Sequence, residues 1–226
     1  HEYWYEVSLE QKGLVLMSEM KVTVNSPPCC GSLKVSPEEG QELVMNFEFL
    51  AQEWTDVEED FPLSYTLLFG QSKLLTSRGS QTRLSTFLCQ GENDRAMITL
   101  RAFDSLNSFS ESSLSIKVAQ SFESANDRLQ WIISTSGAIT ANIKAQESFE
   151  TVTAKLMMMA EASMGKDAGS VSLLRQCFLS LMDLYESLDD LTSDVKAMTS
   201  VSSSILESLS KSSKAMDTSR RSLILQ

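Results

Sequence analysis

The feature that most constrains this chain is a change in its grammar near residue 120. All four prolines (Pro27, Pro28, Pro37 and Pro62) lie before it, with most of the tryptophans and tyrosines. After it there is no proline, and Ala, Ser, Leu and Met dominate. Proline removes a backbone donor and fixes φ, so it punctuates short strands and turns and breaks long helices. The first part therefore reads as β structure and the second as helices.

Within residues 26–119 the signals are those of short strands. Leu33-Lys34-Val35 runs into the turn Ser36-Pro37-Glu38-Glu39-Gly40. Leu43, Met45, Phe47 and Phe49 then alternate with Val44, Asn46 and Glu48, a period of two that places one row on a core face. Leu63 to Phe69 ends at Gly70, Leu84 to Cys89 follows, and Ile98, Leu100 and Ala102 alternate with Met97, Thr99, Arg101 and Phe103. Leu114, Ile116 and Val118 close the set. About six or seven such strands predict an immunoglobulin-like antiparallel β-sandwich.

An echo lies inside the β part. Tyr5 to Gly13 followed by Met20 to Val24 resembles Ile98 to Asp104 followed by Leu114 to Val118: a strand, a polar turn, a strand ending in valine. Residues 1–25 are thus expected to be the last hairpin of a preceding sandwich, and residues 26–119 a complete one.

Residues 120–226 carry helical spacing and predict an α-helical bundle. Phe122, Leu129, Ile132 and Ile133 share a face, with a break expected at Gly137. Ile139, Ile143, Phe149, Val152, Leu156 and Met159 form a second stripe that ends at Gly165 and Gly169. Ser170 is the expected N-cap of a third helix. Its seam is Leu174, Cys177, Leu181, Leu184, Leu188, Leu191, Val195 and Met198, widened by Phe178 and Tyr185. Ile205, Leu206 and Leu209 begin a fourth helix.

Chemistry is hard to place on this chain. The formal charge is −11 and no segment concentrates Lys and Arg, so a polyanion is repelled and nucleic acid is not an expected partner. His1 is the lone histidine, which leaves no histidine base for the many serines. There is no G-x-S-x-G elbow and no phosphate loop. Cys177 sits on an apolar stripe and reads as core, as do most of Met157, Met158 and Met159. No catalytic residue, cofactor or metal is expected. The one oxygen-rich candidate for calcium is the run Asp56, Glu58 and Asp60 with Asp104 across a sandwich end. It lacks the glycine and spacing of a calcium loop and reads as solvated charge.

The four cysteines lack zinc spacing. Cys29 and Cys30 are adjacent and cannot easily bond each other. One of them, Cys30 in the leading assignment, can pair with Cys89 in an oxidising compartment, and reduced thiols are the other reading. No N-x-Ser/Thr acceptor is present, because Asn25-Ser26 is followed by Pro27. No apolar run approaches the ~20 residues of a spanning helix, so any membrane anchor is expected outside this segment.

The order of landmarks from residue 26 resembles a known family. Pro27-Pro28 precedes Gly31-Ser32-Leu33, then Val35-Ser36-Pro37 with Gly40, then Trp54-Thr55-Asp56, then Pro62-Leu63-Ser64-Tyr65. This is similar to the REJ (receptor for egg jelly) module of polycystins and sperm egg-jelly receptors. In such a module Trp54 can plug the sandwich core, Asp56 can hold a turn through backbone hydrogen bonds, and Pro62 can set the start of the strand carrying Tyr65. The helical part is similar in character to the first part of a GAIN (autoproteolysis-inducing) domain. A cysteine common near Leu50 in the family is missing here, and so is the His-Leu-Ser/Thr cleavage motif. The resemblance implies a non-catalytic extracellular module at the plasma or ciliary membrane, acting in protein recognition, adhesion or force transmission to a channel. A structural part of a filament or ciliary-surface assembly is the alternative. The partners expected are proteins: a polycystin-type channel subunit or copies of the chain itself.

Overall fold

The computed structural model describes residues 2–57, 60–70, 72–142, 148–163 and 171–189. It opens with a hairpin of two ten-residue strands, β1 (Glu2–Gln11) and β2 (Leu14–Thr23). The chain reverses at Lys12-Gly13, where both residues have positive φ (50° and 79°), the backbone that two-residue hairpin turns require. Pairing of Tyr5 with Met20 and Leu9 with Leu16 gathers Tyr3, Tyr5, Val7, Leu9, Leu16 and Met20 on one face. Trp4, Glu6, Glu10, Glu19 and Lys21 occupy the other. The apolar face lies in solvent, with Val7 67% and Leu9 60% exposed.

Eight further strands follow: β3 (Ser32–Ser36), β4 (Glu39–Gln41), β5 (Asn46–Gln52), β6 (Ser64–Phe69), β7 (Lys73–Leu74), β8 (Arg83–Phe87), β9 (Arg95–Phe103) and β10 (Phe109–Ala119). They form two sheets, ordered β3-β5-β8 and β4-β10-β9-β6-β7. The pairings are antiparallel except for β4, which runs parallel to β10. Strand alternation sends Leu33, Phe47, Phe49 and Leu84 of the first sheet into one core with Leu67, Ile98, Leu100 and Ile116 of the second. Phe47 and Phe49 are fully buried, each contributing about 1.5–3 kcal/mol of burial.

The row expected from Leu43 to Phe49 is only partly a strand. β5 begins at Asn46, and Met45 is exposed. Leu43 is buried, but in a turn with φ 58° whose amide donates to Leu88 O at 2.8 Å. Period-two spacing continues into that turn by coincidence of burial, not of strand geometry.

Three helices are described: α1 (Ala125–Asn142), α2 (Phe149–Ser163) and α3 (Val171–Asp189). Ser124 caps α1: its Oγ accepts from Asp127 N at 3.1 Å and donates to Asp127 Oδ2 at 2.7 Å, a variant of the reciprocal capping box. Ser148 opens α2 similarly, accepting from Thr151 N at 3.3 Å. The break expected at Gly137 does not occur; α1 runs through it. A glycine costs only about 1 kcal/mol against alanine in a helix, and the packing of Leu129, Ile132, Ile133 and Ile139 into the core outweighs that. Ile143, Gly165, Gly169, Ser170, Leu191, Val195, Met198 and the residues near Ile205 where a fourth helix is expected lie outside the described residues.

The helices do not pack only on one another. α2 touches β8 as well as α1 and α3, and Val152 through Ala160 are buried all round, as expected of a helix enclosed on every side. Trp131 of α1 meets Phe87 of β8 edge-on, centroids 5.5 Å apart and planes at 80°, and Phe122 at 6.0 Å. Arg128 Nη1 lies 3.6 Å from Glu42 Oε1, a nearly buried pair, and Lys73 pairs with Glu161. One hydrophobic cluster therefore runs from both sheets into all three helices.

Candidate functional site

The residues with most polar organisation meet at one end of the two-sheet body, where the β2–β3 connector, the 53–62 loop and the β9–β10 turn converge. Asp104 is at the centre and fully buried. Its Oδ1 accepts from Leu106 N and Ser108 N, both at 2.9 Å, and its Oδ2 accepts from Asn25 Nδ2 at 2.6 Å. The carboxylate thus ties the β9–β10 turn to the connector leaving the hairpin. Local bonding of this kind is what Asp does at turns.

Arg78 supplies the positive charge. It donates from Nε to Ser64 Oγ and from Nη1 to Asn107 Oδ1, both at 2.6 Å, and from Nη2 to Asp104 O at 2.9 Å. Its guanidinium lies 4.3 Å from the Phe103 ring centroid, within cation–π range. The 53–62 loop joins through Ser105 N, which donates to Asp60 O at 3.0 Å. Asp60 N in turn donates to Asp56 Oδ1 at 3.3 Å.

Among the calcium candidates, Asp56, Asp60 and Asp104 come to this end, Asp104 and Asp56 through carboxylate oxygens that accept from protein N–H groups and Asp60 through its backbone, and Glu58 lies outside the described residues. Asp104 directs both oxygens at protein donors. Among the described residues no group of three or more carboxylate, thiol or imidazole side chains is arranged to hold a metal ion.

The landmark residues cluster in two packings. Gly31 lies against Trp54: a side chain at residue 31 would run into the Trp54 ring. Gly40 plays the same part for Phe47, whose Cζ would be 2.7 Å from an added Cβ. Both glycines are places of close approach. Pro28 is buried, and the Ser36–Pro37 and Phe61–Pro62 bonds are cis. Tyr65 exchanges backbone hydrogen bonds with Gly79 at 2.7 and 3.1 Å, and burial raises its phenol pKa.

The structure does not bring Cys30 to Cys89. Cys89 is buried, with Sγ 4.0 Å from Met158 Sδ of α2. Cys30 is exposed, and its Sγ lies 2.6 Å from that of Cys29. The thiol of Cys89 is pushed well up, first by burial and then by the charges of Glu161 and Glu42. Burial alone pushes Cys177 up to about 12. Both are protonated at neutral pH, and a thiol is a poor nucleophile. Asn25, Arg78, Glu42, Arg128 and Trp131 were not singled out by sequence reading. A lone Asn or Arg carries no spacing signal, and the Ser124-x-x-Asp127 pair is a local signal that marks the start of α1 more closely than composition does.

The described residues form a mostly antiparallel two-sheet body joined to helices, and the polar side chains gathered at this end are bonded to turns and joints. In the family comparison, the REJ domain matches residues 2–158, most of the chain. The chain belongs to the REJ domain family, a family of extracellular modules of membrane receptors. No curated protein and no solved structure matched. Among the described residues no helix is long and apolar enough to cross a membrane.

Proposed function

We propose that this chain is a rigid ectodomain segment of a polycystin-like membrane protein, which recognises a partner protein and carries force toward a channel. The observation that supports this is a continuous run of contacts. From the β1–β2 hairpin it passes through the Asn25–Asp104 bond into the β9–β10 turn, across the shared core, and into α1 and α2 through Trp131, Arg128 and Met158.

Two architectural readings support it. Residues 26–119 are read as an immunoglobulin-like sandwich, a reading supported by the two sheets β3-β5-β8 and β4-β10-β9-β6-β7 sharing one buried core. Residues 1–25 close a preceding sandwich of the same kind. Tyr3, Tyr5 and Val7 pair with Val22, Met20 and Ser18, as Ala96, Ile98 and Leu100 pair with Ile116, Leu114 and Ser112. The echo thus keeps cross-strand register, and the exposed apolar face of the hairpin corresponds to the face that β9 buries. The helices after residue 120 are read as the start of a GAIN-like segment.

Stretching single molecules between the hairpin and α3 tests the force reading. The expected trace has the two-sheet body β3–β10 and the helices giving way in one event. Helices that extend at low force, well before the sheets, would contradict it.

The exposed hairpin also favours a second reading, a subunit of a filament or ciliary-surface assembly. A two-stranded sheet with an apolar face is a ready template for copies. Sedimentation showing a monomer at high concentration removes this reading.

A further inference from the structure

The connector between β2 and β3 holds two adjacent cysteines whose sulfurs are 2.6 Å apart. Side chains of neighbouring residues in an extended segment point to opposite sides. Here Cys30 has φ 69°, a left-handed backbone uncommon outside glycine, and this turns its side chain back toward that of Cys29. The conformation is held on both sides. Cys29 exchanges backbone hydrogen bonds with Thr55 at 2.8 and 3.1 Å, and the next residue, Gly31, packs directly on Trp54. Cys30 is exposed to a dissolved oxidant, whereas Cys89 and Cys177 are buried.

We propose that Cys29 and Cys30 are a reversible redox pair that closes a vicinal disulfide on the surface of this connector. The oxidant is a small dissolved disulfide of the glutathione class. The Cys30 thiolate attacks one sulfur of the oxidised tripeptide, forming a mixed disulfide and expelling one thiolate. The Cys29 thiolate then attacks the Cys30 sulfur, closing the Cys29–Cys30 bond and expelling the second. Two protein thiols lose two electrons and two protons, and one small disulfide becomes two thiols.

Adjacent Cα atoms across a trans peptide are about 3.8 Å apart, below the roughly 4.4–6.8 Å usual for disulfides. Such a bridge opens more readily than a structural one, which makes the pair a switch and not a staple. It lies four to five residues past Asn25, on the joint that ties the hairpin to the body.

Peptide mapping of the intact chain tests this, with alkylation under native conditions after equilibration in oxidised and then reduced glutathione. After oxidation, the peptide carrying Cys29 and Cys30 is expected to lack two hydrogens and take no label. After reduction it is expected to take two labels. A doubly labelled or doubly glutathionylated peptide after oxidation would overturn the proposal, as would a cross-link from either cysteine to Cys89 or to another chain. Cys29→Ser removes the resolving thiol, so a stable glutathione adduct on Cys30 is expected. A variant peptide recovered with neither label nor adduct would overturn it as well.

Discussion

At the scale of single residues, the strongest dependence falls on Asp104. Its buried carboxylate accepts three hydrogen bonds, and a hydrogen bond to a charged group contributes about 1.5–3 kcal/mol. Asp104→Ala is expected to lower stability by about 3 kcal/mol, read as a shift of the urea midpoint at constant slope. Asp104→Asn, which keeps an acceptor at the turn, should lose less. The buried thiols contribute a pH dependence on the alkaline side. Burial holds Cys177 at about 12 against its usual 9.0, so between those values the folded chain keeps a proton that the unfolded chain releases. Stability from this group is complete below pH 9 and falls as pH rises toward 12. Cys177→Ala is expected to flatten that part of the profile in a pH series of denaturant titrations. Cys177 was legible in the sequence because an apolar residue recurred every three or four positions around it. Asp104 was noticed for a different duty, as a cation ligand: its charge is visible in sequence, but the two amides and the Asn25 side chain that occupy it are not.

Elements were legible where period and punctuation agreed. β9 and β10 followed their alternation, and the composition shift at residue 120 anticipated α1 closely, because proline loss and helical spacing are local properties. Gly137 misled because its cost is small beside the packing of its neighbours. α2 has no polar face to set its phase; its burial comes from β8, α1 and α3 together, which no local pattern records. Two element-scale expectations follow. Ser124→Ala removes the cap of α1 and is expected to cost about 1 kcal/mol, measured by chemical denaturation, with Ser124→Asp close to wild type. Gly31→Ala places a methyl against the Trp54 ring and is expected to cost roughly 1–3 kcal/mol by overpacking. A Gly31→Ala chain as stable as the parent would mean that Trp54 shifts freely.

For the molecule as a whole, two parts could be read from composition, but not that they share one core. The contacts that join them, Trp131 on Phe87, Arg128 on Glu42 and Cys89 on Met158, link positions about forty or more residues apart, and no window of sequence contains both partners. Trp131→Ala is expected to cost about 3–5 kcal/mol and to loosen β8 along with α1. Native-state amide exchange of the intact chain, resolved by peptide, tests the shared core most directly. β9 (Arg95–Phe103) and α2 (Phe149–Ser163) are expected to open with the same free energy, that of global unfolding, while β1 and β2 exchange far faster. Fast exchange throughout α2 beside a protected β9 would contradict a single core and, with it, the rigid path from hairpin to helices.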